Sequence, residues 1–187
     1  MKITRSRVLV IAIILGIALL GAGVYAASTN ILAVGTISQS QLFDGPAKVT
    51  VRTLTLKPGE ALPWHYHPGY AFNAVKSGTL TVEDGCGGVQ TLTAGQGFEE
   101  IDGRVHRARN LGTADVVVYN TFITLQGKPT MMPISGGERR CGPPLMVVEC
   151  NNDGWREFNY PQSFASQEQC VSFVHSRATR SQFRKTL

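Results

Sequence analysis

His65 and His67 stand two residues apart in the run Gly59-Glu-Ala-Leu-Pro-Trp-His65-Tyr-His67, and His106 follows about forty residues later. These are three of the four histidines in the chain; the fourth, His175, lies in the tail. Side chains alternate across a β-strand, so residues i and i+2 project the same way. Two imidazoles placed like this can converge on one point, and a third from another strand completes a neutral shell of three nitrogens. Such a shell suits a divalent transition metal (Fe(II), Zn, Cu, Ni or Co), because imidazole binds all of them and geometry selects. Manganese fits less well, since it favours carboxylate oxygen. Three protein ligands leave at least one coordination position open, where a metal can act as a Lewis acid or engage O₂.

Short strands are what must position these groups. Ala47 to Leu56 (AKVTVRTLTL) alternates polar and apolar residues, as a half-buried strand does. Tyr70 to Lys76, Thr79 to Glu83, Val89 to Thr93, Gly97 to Glu100, Arg104 to Arg109 and Asp115 to Leu125 are further candidates. Pro58-Gly59, Ser77-Gly78, Asp84-Gly85, Gly95 and Asp102-Gly103 mark turns between them. Many short strands with glycine-rich turns predict an all-β sandwich or barrel over residues 31–126. Residues 127–144 are rich in Pro and Gly and read as an irregular connection, with Met131 and Met132 to bury against the barrel. Residues 145–187 form a compact extension dense in aromatics (Trp155, Phe158, Tyr160, Phe164, Phe173), with one short helix over Ser166 to His175. A unit this small needs a staple.

Apolar residues make up 43% of the chain and charged residues 17%, the composition of a folded protein rather than a disordered one. The net charge of +5 invites a nucleic-acid reading, but Lys2, Arg5 and Arg7 belong to an N-terminal leader. Without them, 15 basic residues face 13 acidic ones, and no basic run interleaves with aromatics, which argues against nucleic acid as a partner. The leader, residues 1–27, has a basic start, an apolar helix-length run from Val8 to Ala22 and small residues up to Ala27. It reads either as a cleaved signal peptide or as an uncleaved membrane anchor through residues 8–27. Both place the rest outside the cytoplasm, periplasmic or extracellular, with membrane contact through this segment alone. Cys86, Cys141, Cys150 and Cys170 all follow the leader, and an even number of cysteines in an oxidising compartment predicts disulfides, with three pairings open.

The histidine region resembles the cupin superfamily. The first cupin motif runs Gly, five residues, His-x-His, three or four residues, Glu, six residues, Gly; here stand Gly59, His65-Tyr66-His67, Ala71 and Gly78 at those spacings. The second runs Gly, five residues, Pro-x-Gly, two residues, His, three residues, Asn; here stand Gly95, Ile101-Asp102-Gly103, His106 and Asn110. Ala71 replaces the glutamate and Ile101 the proline. The resemblance covers roughly residues 40–126 and implies a double-stranded β-helix (jelly-roll) barrel with a metal in its mouth. It implies His65, His67 and His106 as ligands and leaves the carboxylate position empty. Glu99 or Glu100 could supply that carboxylate from the strand before His106, and Asn73 would share a face with position 71. The four motif glycines serve turns, Asn110 ties down a loop, and Trp64, Tyr66 and Phe72 read as core or pocket wall. A homodimer is also implied.

The tail, Cys150-Asn-Asn-Asp-Gly-Trp155-Arg-Glu-Phe158 with Phe164-Ala-Ser-Gln167-Glu-Gln-Cys170-Val-Ser-Phe173, resembles a short two-cysteine module found on exported bacterial proteins. Its cysteines bracket it, which pairs Cys150 with Cys170 and leaves Cys86 with Cys141. Three functions stay open: a metal-dependent dioxygenase or isomerase acting on a small molecule, a non-catalytic module binding a metal or small molecule, and a structural barrel with a vestigial site.

Overall fold

The computed structural model describes residues 27–183, so residues 1–26, on which the expectation of a signal peptide or membrane anchor falls, lie outside the described residues. Among the described residues ten strands and one α-helix follow in order, with three short 3-10 turns between β10 and α1: β1 (Ser28–Ile37), β2 (Ala47–Leu56), β3 (His65–Tyr66), β4 (Gly69–Ser77), β5 (Thr79–Asp84), β6 (Val89–Thr93), β7 (Gly97–Glu100), β8 (His106–Arg109), β9 (Val116–Leu125), β10 (Met132–Pro133) and α1 (Gln167–Phe183). They build two five-stranded sheets, β1-β2-β9-β4-β7 and β10-β3-β8-β5-β6. Every pairing is antiparallel. This is the all-β jelly-roll arrangement the resemblance implies. Among the described residues no helix is long and apolar enough to cross a membrane.

Each inward face divides into an apolar half and a polar half. Along β9, Val116 and Val118 give way to Asn120, Phe122 and Thr124; along β4, read backwards, Val75 gives way to Asn73 and Ala71. On β2, Leu56 and Leu54 precede Arg52 and Thr50, since β2 runs antiparallel to β9. On β8, Ala108 precedes His106 in the same direction. The apolar halves meet in one cluster, Leu54, Leu56, Val75, Leu80, Leu92, Ala108, Val116 and Val118. Burying each large aliphatic side chain there contributes about 1.5–3 kcal/mol. The polar halves meet at the other end and form the site.

The turns are built as expected. Gly78 has φ +79°, and a Cβ there would collide with the Asp115 carbonyl, so the β4–β5 turn needs glycine on both counts. Asn110, fully buried, donates to the Leu56 and Ala114 carbonyls at 2.9 and 2.8 Å and accepts from the Gly112 N–H, tying the β8–β9 loop to the end of β2.

Several details differ from the sequence reading. β1 begins at Ser28, three residues before the expected start of the barrel, and β10 lies within the expected connection. That connection does lie on the barrel, but its buried residues include Ile134, whose N–H donates to the Trp64 carbonyl, and Cys141, Pro143 and Pro144; Met132 is exposed because it sits at the outer edge of a sheet. Phe72 is 45% exposed rather than core, since it has the opposite phase from Ala71 and Asn73. The helix runs on to Phe183, eight residues beyond His175, because no Gly or Pro stops it where the apolar residues end.

The extension packs around Cys141, Cys150, Phe158, Phe164, Cys170 and Val174. Its disulfide joins Cys150 to Cys170, and a second joins Cys86 to Cys141.

Candidate metal centre

His65 sits on β3 directly opposite His106 on β8, and His67 follows just beyond the two-residue strand β3. All three imidazoles are buried, and their ligand nitrogens lie within 4.8 Å of one another. The structure thus brings together the three histidines singled out by spacing. Gly103, at φ +82°, donates its N–H to the His67 carbonyl at 3.0 Å and ties the two histidine segments together.

Each ring is oriented by a backbone carbonyl. Nδ1 of His65 donates to Pro63 O (2.7 Å), Nδ1 of His106 to Arg104 O (2.9 Å), and Nδ1 of His67 to Thr130 O in the connection. A carbonyl can only accept, so the proton of each neutral ring is held on Nδ1 and the Nε2 lone pair is left as the ligand. Support of this kind fixes ring orientation and tautomer in metal sites.

The carboxylate of Glu100 joins them. Its oxygens lie 3.0 Å from His106 Nε2 and 3.1 Å from His67 Nε2, while those two nitrogens are 3.2 Å apart. Glu99, the other residue weighed for this role, has the opposite phase on β7 and is exposed. Three acceptors at such spacing repel one another unless a proton or a cation lies between them. Burial pushes the His106 pKa down, but the Glu100 carboxylate beside it outweighs that and raises it overall. Burial likewise pushes Glu100 up, and His106 and His67 hold it well below the usual carboxylate range. His65 is lowered to about 3, by burial and then by the other two histidines, so it stays neutral. The donor set and its buried, carbonyl-oriented geometry fit a divalent transition metal.

Behind the carboxylate runs a polar chain that the sequence reading found only at one end. Asn73 donates to Glu100 (3.0 Å), Asn120 to Asn73 (2.7 Å), and Arg52 Nε to Asn120 (3.2 Å), with the guanidinium 4.6 Å over the Phe122 ring. The inward position of Asn73 agrees with its expected face. Arg52 and Asn120 were missed, although both stand at the inward phase of their strands. Two spaces adjoin the site. A cavity of about 20 Å³ inside the barrel is lined by His65, His67, Asn73, Glu100 and Asn120. A pocket of about 250 Å³ opens toward solvent, with Glu100 and His106 in its wall and Val82, Phe98, Ile101, Arg104, Leu145 and Glu149 around it.

Residues 52–137 match the family model of the cupin domain. This stretch is a cupin domain. Among solved structures the chain is similar to a protein with a double-stranded β-helix domain from Klebsiella pneumoniae subsp. pneumoniae, at 21% identity over 55% of this chain and 80% of that one, with a TM-score of 0.44. It is also similar to a cupin domain from Bordetella pertussis (21% identity, 52% and 93% covered, TM-score 0.41). A third is the DMSP lyase DddQ from Ruegeria pomeroyi (12% identity, 57% and 51% covered, TM-score 0.44). No curated protein matches the chain. In the cupin domain the motif position of the glutamate is Ala71, fully buried and paired across strands with Glu100.

Proposed function

We propose that this cupin domain holds a divalent transition metal through Nε2 of His65, His67 and His106 and acts on a small molecule, as a dioxygenase or isomerase. One observation carries the reading: three buried imidazoles, each with its Nδ1 proton pinned to a backbone carbonyl, turn their Nε2 atoms to one place. A bound metal there supplies Lewis acidity and, if redox-active, electron exchange with O₂. The chain's own groups do the rest. The pocket of about 250 Å³ admits a small molecule to the face formed by Glu100 and His106, and its mixed wall offers Val82, Phe98, Ile101 and Leu145 to apolar parts of that molecule and Asp84, Gln90, Arg104 and Glu149 to polar ones. Glu100 and His106 line that face, with the carboxylates of Asp84, Glu99 and Glu149 elsewhere in the pocket wall.

The leader and the two disulfides support an exported location, with the domain working in an oxidising compartment. The test is elemental analysis of the protein beside a His65→Ala/His106→Ala variant of unchanged circular dichroism. Near-stoichiometric iron, copper, nickel or zinc in the parent and none in the variant is the expected result. Absence of metal from both after an attempt at loading would reject the reading and leave a non-catalytic binding module in its place.

A further inference from the structure

We propose that Glu100 is the fourth protein ligand of the metal centre, so that the carboxylate missing from β4 at Ala71 is supplied by the facing position of β7. The inference rests on the metal reading above and goes past it, because the cupin motif places no ligand on this strand.

Three observations support it. The first is register. Ala71 and Glu100 are direct partners in the β4–β7 ladder, and directly opposed residues point to the same face. A side chain at 100 therefore reaches the space that a longer side chain at 71 would fill. Exchanging Ala and Glu between the two positions leaves the total side-chain volume unchanged.

The second is spacing. Ligand atoms about 2.1 Å from one metal lie roughly 3.0–3.4 Å from their neighbours in octahedral or tetrahedral arrangements. Glu100 Oε1 lies 3.0 Å from His106 Nε2 and Oε2 lies 3.1 Å from His67 Nε2, while the two Nε2 atoms are 3.2 Å apart, so either carboxylate oxygen stands at ligand spacing from one histidine. The carboxylate faces Nε2, the ligating nitrogen. Outer-shell carboxylates support the other ring nitrogen, and here Nδ1 is already committed to backbone in all three rings. Once a metal occupies Nε2, no imidazole N–H remains for Glu100 to accept.

The third is support. Asn73 donates to Oε2, is itself held by Asn120, and Asn120 in turn accepts from Arg52. The carboxylate is thus held in place by groups on β2, β4 and β9, independently of the histidines. The resulting shell carries one negative charge, which partly neutralises a divalent ion inside a buried site and shifts preference toward metals that accept oxygen as well as nitrogen.

The experiment compares the full-length protein with Glu100→Gln, Glu100→Ala and the exchange variant Ala71→Glu/Glu100→Ala. Zinc affinity is measured by competition with a chromophoric chelator, and the cobalt-loaded proteins are examined by visible absorption and X-ray absorption. In Glu100→Gln and Glu100→Ala, zinc affinity should fall at least about tenfold, the smaller loss typical when a metal site loses a supporting group. The cobalt spectra should change in band position and lose one oxygen scatterer. In the exchange variant, both affinity and spectrum should return toward the parent. Equal affinity and an unchanged cobalt spectrum in Glu100→Gln would overturn the proposal while leaving the three-histidine reading intact. So would an affinity loss with no spectral change and no recovery in the exchange variant, which would mark a purely electrostatic effect. A parent that binds neither zinc nor cobalt would instead overturn the metal reading itself.

Discussion

Single residues here carry unforgiving roles. Asn110 is fully buried and satisfies two carbonyls and one N–H, so truncation leaves polar groups unpaired in the interior. Asn110→Ala should therefore cost about 2–3 kcal/mol, read from urea unfolding as a lower midpoint with an unchanged slope. Glu83 makes the clearest acid-sensitive contact away from the metal centre. Burial pushes its pKa up, but Arg107 at 2.6 Å and Arg109 at 2.9 Å together outweigh that and lower it overall. A carboxylate depressed in the folded state contributes stability above its unfolded pKa and loses it as pH falls through the lower folded value. The parent should then lose stability relative to Glu83→Gln below about pH 4.5, near the unperturbed glutamate value. Parallel thermal unfolding from pH 7 to pH 3 checks this, and identical pH profiles for the two proteins would count against it.

Among the elements, the connection and the C-terminal extension belong to the site although neither supplies a ligand. Thr130 in the connection orients His67. Gly142 O accepts from the Val105 N–H, Pro143 O from Arg104, Glu149 pairs with Arg104 at 2.9 Å, and Arg177 donates to Asp102 O. These contacts converge on residues 102–105, the segment that leads into His106. The Cys150–Cys170 bridge closes a 20-residue separation around the small cluster that presents them. Replacing both cysteines by serine should cost about 3 kcal/mol on loop-entropy grounds. If the extension buttresses residues 102–105, the same variant should also release zinc faster in a chelator-exchange assay. Unchanged release would confine the extension to stability.

For the molecule as a whole, the metal and the fold should be linked. A ligand that binds only the native state, at a free concentration a hundred times its Kd, stabilises by about 2.7 kcal/mol. For a domain of this size that corresponds to a rise in Tm of roughly 5–10 °C. Calorimetry with and without zinc should show such a rise in the parent and none in His65→Ala/His106→Ala.

The positions of β2 and of β4 to β9, the turns and the three histidines were legible in the sequence because each depends on local rules, whereas β1 and β10 were not marked as strands. Alternation along Ala47–Leu56 and Val116–Leu125 marks both strand and inward face, and glycine at positive φ marks turns such as Gly78. The same alternation assigns Phe72 outward, a phase that the reading by residue type overlooked. The cysteine pairing followed from the module's bracketing rather than from local rules. Other features depend on which strands become neighbours. Glu100 reaches the histidines because β7 pairs with β4 in a register that sets it opposite Ala71, and Arg52 reaches Asn120 because β2 pairs with β9. Ile134, rather than the methionines, is buried in the connection because β10 pairs with β3 beside Trp64. The sequence alone therefore determined which side chains share a strand face, since that is set by the two-residue period of the backbone. Only the tertiary structure decided which faces meet and in what register, because that depends on packing between segments distant in the chain.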